Sequence, residues 1–109
     1  MNEAVRFDIT INPGADYAID FQPIEDDETP ISVSGWSADA QLREFPESMD
    51  HIDFTCTSDS TGFHLTLSKD ETAKIPYTRG YYDVFITDPD NGRTRLVHGR
   101  AIVRPRATR

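Results

Sequence analysis

The side chains best suited to chemistry in this sequence are thinly spread. His51, His64 and His98 stand alone, none at i, i+2 or i, i+4 from another histidine or a cysteine, which is the spacing a metal site within one element needs. They are expected to be ordinary strand or loop histidines, with a metal trio assembled across strands as the alternative. The run Glu25-Asp26-Asp27-Glu28 has the charge to attract calcium. A hard-cation site wants six to eight converging oxygens, however, and a solvated acidic loop is the commoner meaning of such a run. Asp88-Pro89-Asp90-Asn91-Gly92 has the opening residues of a calcium loop, but its glycine comes one position early and no acid stands at the twelfth position. Asn-Gly between two alternating segments is instead expected to turn a hairpin. Serine and threonine are plentiful, yet no nucleophile elbow and no Cys/His pair is present. No catalytic residue, cofactor site or metal centre is therefore expected. Cys56, the single cysteine, has no disulfide partner and falls at an inward position of an alternating segment, as a small core thiol would.

The arginines are distributed less evenly. The chain of 109 residues has a formal charge of −8, but residues 1–60 carry −12 and residues 61–109 carry +4, with six arginines and no acid from Arg93 to Arg109. An overall negative charge argues against nucleic acid as the partner, because phosphate neutralisation needs clustered basic residues on a surface that does not repel the backbone. Two explanations of the asymmetry follow. Acidic and basic halves are neighbouring strands that neutralise each other, or copies of the chain, or a partner, meet acidic face to basic tail. On the second, Arg100, Arg104, Arg106 and Arg109 are the expected partner-binding residues.

The elements that must position these groups read as strands. Val5, Phe7, Ile9 and Ile11 alternate with Arg6, Asp8 and Thr10, the period of two of a half-buried strand. Asn12-Pro13-Gly14 breaks it. Tyr17, Ile19 and Phe21 share a face. A short strand over Ile31–Ser34 is expected before a bend at Gly35, and then a longer one with Trp36, Ala38, Ala40 and Leu42 inward. The segment 43–50 is expected as a flexible excursion. Ile52, Phe54 and Cys56 form one face of a further strand, and Phe63, Leu65 and Leu67 one of its antiparallel neighbour across the short turn 58–62. Ser68 with Glu71 three residues on is a capping box, and Pro76 ends the short helix it starts. Then come Tyr82, Val84 and Ile86 facing one way, a turn, and a last strand in which Gly99 suggests a bulge or a close backbone approach.

The whole is expected to be one domain, residues 1–109: an immunoglobulin-like antiparallel β-sandwich of about seven to eight strands with one short helical crossover, centred on Trp36, Phe54, Phe63 and Tyr82. No apolar run reaches the roughly 18 to 20 residues needed to span a bilayer, and the first ten residues lack a basic and an apolar signal region. No membrane partner and no secretion are expected.

Several segments together resemble a known family. Ser34-Gly35-Trp36 before Ala38-Asp39-Ala40-Gln41-Leu42-Arg43, then Leu67-Ser68 with Glu71-Thr72-Ala73, Tyr82-Asp83-Val84, Asp88-Pro89-Asp90 and the final Thr108-Arg109 occur in order over residues 15–109. In this the chain is similar to small tailed-bacteriophage virion proteins that resemble the N-terminal domain of phage baseplate upper proteins. The resemblance implies a non-enzymatic structural component of the virion, assembled in the host cytoplasm. Its partners would be other virion proteins of the tail, baseplate, fibre or capsid, and it would be present as a homo-oligomeric ring or in multiple copies. A long C-terminal receptor-binding segment is missing from the pattern, which favours an adaptor. The alternatives are a head-decoration protein on the capsid and, from another class, a small carbohydrate- or calcium-binding module using Trp36, Tyr77 and Tyr81 or the Glu25–Glu28 run.

Overall fold

Alternating apolar and polar residues become paired strands over most of the chain. The computed structural model describes residues 4–23 and 32–104. Nine strands and one helix run through them: β1 Val5–Arg6, β2 Ile9–Ile11, β3 Tyr17–Phe21, β4 Ser37–Arg43, β5 Ile52–Asp53, β6 Thr55–Asp59, β7 Gly62–Leu67, α1 Lys69–Ala73, β8 Arg79–Thr87 and β9 Arg93–Val103. One sheet has the order β1–β9–β8–β4–β5 with β2 also on β9, and the other the order β3–β7–β6. The strands β1 and β2 are one stretch of chain interrupted at Phe7 and Asp8, and β5 and β6 one stretch interrupted at Phe54, so seven stretches build the two-sheet β-sandwich.

The core is the common interior of the two sheets. Ile11, Leu42, Phe63, Leu65 and Val84 are wholly buried, with Phe54, Tyr82, Val97 and Val103 nearly so. Trp36 packs edge-on to Phe63 with ring centres 6.3 Å apart, and Phe54 lies against Tyr82 at 6.4 Å. Phe54, Phe63 and Tyr82 are thus central as expected, while Trp36 is half-buried at the rim. Cys56 is also half-buried against this core, and burial pushes its thiol pKa up, which makes it a poor nucleophile.

Four expectations need correction. The first strand is not continuous, and it does not pair antiparallel. Both of its parts run parallel to β9, in one register from Val5 opposite Val97 to Ile11 opposite Val103. At the break, the Phe7 N–H donates to the His98 carbonyl at 2.9 Å, and the Asp8 carboxylate accepts the Arg100 N–H at 2.9 Å in place of a backbone acceptor. Val5 and Phe7 end up exposed rather than in the core, Phe7 resting on Phe21 at 6.0 Å. Secondly, residues 32–34 form no strand; Val33 is buried, and Gly35, with φ of +86°, turns the chain into β4. Thirdly, the segment around Phe54 belongs to two sheets. β5 pairs with β4 and β6 with β7, and the Phe54 N–H donates to the Ala40 carbonyl at 3.0 Å as the chain crosses over. Fourthly, segment 43–50 is tied down. The Ser48 N–H donates to the Phe45 carbonyl at 3.0 Å, Ser48 Oγ accepts from the Phe45 N–H at 3.1 Å, and the Arg43 guanidinium donates to the Ser48 carbonyl and to Gln41 Oε1 at 2.7 Å.

The short helix is as expected. Ser68 Oγ accepts from the Glu71 N–H at 3.1 Å and Glu71 Oε1 accepts from the Ser68 N–H at 2.8 Å, closing the capping box. The hairpin turn 88–92 is longer than a two-residue Asn-Gly turn. The Asn91 N–H donates to the Asp88 carbonyl at 3.0 Å, Asn91 takes the left-handed conformation at φ 69°, and Asp88 Oδ1 accepts from the Asp90 and Gly92 N–H groups at 2.9 Å. The carboxylate most available to a cation in that sequence is occupied by the backbone.

Candidate interaction face

The strand β9 contains an irregularity that decides where its arginines point. Val84 is opposite Val97, but the next pair is Phe85 with Arg95, leaving Leu96 as an extra residue. Leu96 and Val97 are consecutive and both buried. Strict alternation would send Arg93 and Arg95 to one face and Arg100 to the other. The bulge at Leu96 resets the alternation, so Arg93, Arg95, His98 and Arg100 all stand on the outer face of the sheet. Gly99, by contrast, faces inward under the Phe7 carbonyl, so the close approach expected there is real and the bulge lies three residues earlier.

Neighbouring strands complete the face. Asp39, Gln41 and Arg43 come from β4, Tyr81, Asp83 and Phe85 from β8 and Arg6 from β1, and together they line an open depression of about 580 Å³. The Arg93 guanidinium lies over the Phe85 ring at 4.2 Å, and that of Arg100 over Tyr81 at 5.8 Å. Arg93 is 3.9 Å from Asp39 and Arg95 is 3.8 Å from Asp83, beyond hydrogen-bond reach, and all four side chains are substantially exposed. Ion pairs this long and this wet contribute little to stability. The acidic and basic halves of the sequence therefore do meet within one sheet, but loosely, and arginines outnumber carboxylates on the face.

Of the arginines expected to bind a partner, Arg100 lies on this face. Arg104 follows β9, exposed, with its N–H on the Ile11 carbonyl at 3.0 Å. Arg106 and Arg109 lie outside the described residues, as does Glu25–Glu28. Arg93 and Arg95 join the group because of the bulge. The adjacent apolar pair Leu96-Val97, which breaks the period of two, is the signal in the sequence that marks it. The aromatic platform of Trp36, Tyr77 and Tyr81 is not assembled: Trp36 and Tyr77 pack against the core, and Tyr81 stands on the outer face.

A second cluster, on the opposite sheet, has no signature in the sequence. His64 Nδ1 is 2.7 Å from Asp20 Oδ1 across the β3–β7 pair, and Nε2 is 3.1 Å from Asp59 Oδ2 and 3.3 Å from Thr61 Oγ1. A hydroxyl, an imidazole and a carboxylate in line are the components of a nucleophilic relay. Here Asp59 accepts the Thr61 hydroxyl proton at 2.5 Å and also engages Nε2, so the imidazole has a carboxylate at each nitrogen, which favours its protonated form and works against its acting as a base. Hydrogen bonds to Asp20 and then to Asp59 raise the His64 pKa, while the Thr61 hydroxyl and His64 lower that of Asp59 to about 2.

The cluster is a clasp joining β3 to the β6–β7 turn, and its pH dependence follows from the signs. The raised His64 pKa contributes stability that is full below about 6.5 and lost as pH rises through the folded-state value. The lowered Asp59 pKa contributes stability that is full above its ordinary 3.8 and lost as pH falls toward about 2. Thermal melts of wild type and His64→Gln should differ most between these limits, and the two should converge as pH rises through the folded-state pKa of His64. A difference that is constant with pH would mean the imidazole acts only through packing.

No protein-family model and no curated protein sequence matches the chain.

Proposed function

We propose that the protein is a non-enzymatic structural protein of a tailed-bacteriophage virion, an adaptor in the tail, baseplate or fibre-attachment region that docks on neighbouring virion proteins. The observation that carries the docking part is the collection of Arg93, Arg95 and Arg100 on one exposed sheet face of an otherwise acidic molecule, two of them over the half-buried Phe85 ring and the exposed Tyr81 ring. Arginine and tyrosine are favoured where one protein surface recognises another. The virion part is supported by the ordered resemblance over residues 15–109.

The docking residues in this reading are Arg100 and Arg104 together with Arg106 and Arg109. Particles assembled in the presence of protein carrying Arg100→Glu and Arg104→Glu should lack it, because rim charges steer and register a partner while adding little to folding. Occupancy is read by gel densitometry of purified particles and folding by thermal melting of the free protein. Normal occupancy of the doubly substituted protein would remove these arginines as the anchor, and absence of the wild-type protein from purified particles would remove the virion reading altogether.

A further inference from the structure

We propose that the outer face of β4, β8 and β9 is a binding site for an extended, carboxylate-rich polypeptide segment of a partner protein. The proposal deepens the docking reading and rests on it, but not on which particle or region the protein serves.

Three features of the face select this ligand. The first is charge: Arg6, Arg93, Arg95 and Arg100 line a depression on a chain whose net charge is −8, so the face is a local positive field that an acidic segment can enter. The second is the presentation of the guanidinium groups. The central carbons of Arg93 and Arg100 stand over the Phe85 and Tyr81 rings at 4.2 and 5.8 Å, a cation–π placement that uses no N–H donor, so the donors are left for acceptors such as a carboxylate, which arginine can bind through two parallel hydrogen bonds. The neighbouring carboxylates do not already saturate the strand's arginines, since Asp39 stands 3.9 Å from Arg93 and Asp83 3.8 Å from Arg95. The third is spacing. Arg93 and Arg95 are alternate residues of one strand, about 6.8 Å apart along it, and acidic residues at alternate positions of an extended partner segment repeat at the same interval.

The same geometry disfavours a phosphate polymer. Asp39 and Asp83 lie among the arginines in the depression. A peptide can carry a neutral residue in place of an acid wherever its inward face meets these aspartates, whereas the phosphates of a nucleic-acid strand repeat without a gap.

The test uses the full-length protein and a ten-residue peptide alternating glutamate with threonine, with the glutamine-for-glutamate peptide and a DNA oligonucleotide of similar charge as comparisons. In a titration followed by amide chemical shifts at low ionic strength, the glutamate peptide should shift Tyr81, Phe85, Arg93, Arg95 and Arg100, and added salt should weaken it. Arg95→Glu with Arg100→Glu should lower its affinity at least about tenfold, and Arg95→Gln with Arg100→Gln should lower it by less while retaining the native melting temperature. Equal binding of the glutamine peptide, tighter binding of the oligonucleotide, shifts confined to other strands, or no binding of the glutamate peptide would each overturn the proposal. Particle incorporation is a separate readout. Incorporation without peptide binding sinks this inference alone, and peptide binding without incorporation sinks only the virion reading.

Discussion

Replacing Gly99 by alanine should destabilise the protein by about 3 kcal/mol, among the largest effects of any single methyl group added to it. A Cβ at this position would lie 2.2 Å from the Phe7 carbonyl oxygen and 2.7 Å from its carbon. The obstacle is steric, because residue 99 sits within the extended strand β9 opposite Tyr82. Relief would require the Phe7 peptide to move, and it is held on three sides. Its N–H is on the His98 carbonyl at 2.9 Å, its oxygen accepts the Tyr82 hydroxyl, and the next residue, Asp8, takes the Arg100 N–H at 2.9 Å. Urea denaturation of Gly99→Ala should show the loss as a lowered midpoint. Tyr82→Phe, which frees one of the three restraints, should make the alanine less damaging than the two separate losses imply. An alanine variant within about 0.5 kcal/mol of wild type would mean that the first strand does not cross so close to β9.

Thr72→Val is expected to destabilise the protein by about 2 kcal/mol despite the near-equal volume. Thr72 is the one buried polar side chain among the described residues, wholly inaccessible in the helix α1. Its hydroxyl oxygen accepts the Gly14 N–H at 3.0 Å and its proton goes to the Ala15 carbonyl at 2.9 Å. One side chain thereby satisfies both sides of the turn between β2 and β3, and fastens the crossover helix onto it. Valine leaves a donor and an acceptor without partners, whereas Thr72→Ser keeps both bonds and should lose only the packing of a methyl group, about 1 kcal/mol. The comparison of the two variants by thermal or chemical denaturation separates the hydroxyl from the methyl.

How much of this was legible in the sequence depends on whether the information is local. The inward faces of β7 and β8, the capping box at Ser68 and the bend at Gly35 follow from side-chain period and backbone chemistry, and they are found where these place them. The exchange of sheets at Phe54 leaves no mark, because crossing between two facing sheets keeps the same residues inward and alters only the hydrogen-bond partner. The break at Phe7 is hidden for a related reason. Asp8 imitates a backbone acceptor, and an alternating pattern does not say which polar residue will do so. On the arginine face, Arg93, Arg95 and Arg100 were visible as basic residues but their common side was not, since one extra residue at position 96 changes the side to which everything after it points. The Asp20–His64–Asp59 clasp joins residues 44 apart in the chain and exists only through strand pairing.

The parallel pairing of β1 and β2 with β9 has a mechanical consequence. A tensile force applied between Ala4 and Arg104 pulls these neighbours in opposite directions along their own length, so the bonds linking them are loaded in shear and share the force rather than opening one after another. The sandwich is thus built to resist stretching through its two ends.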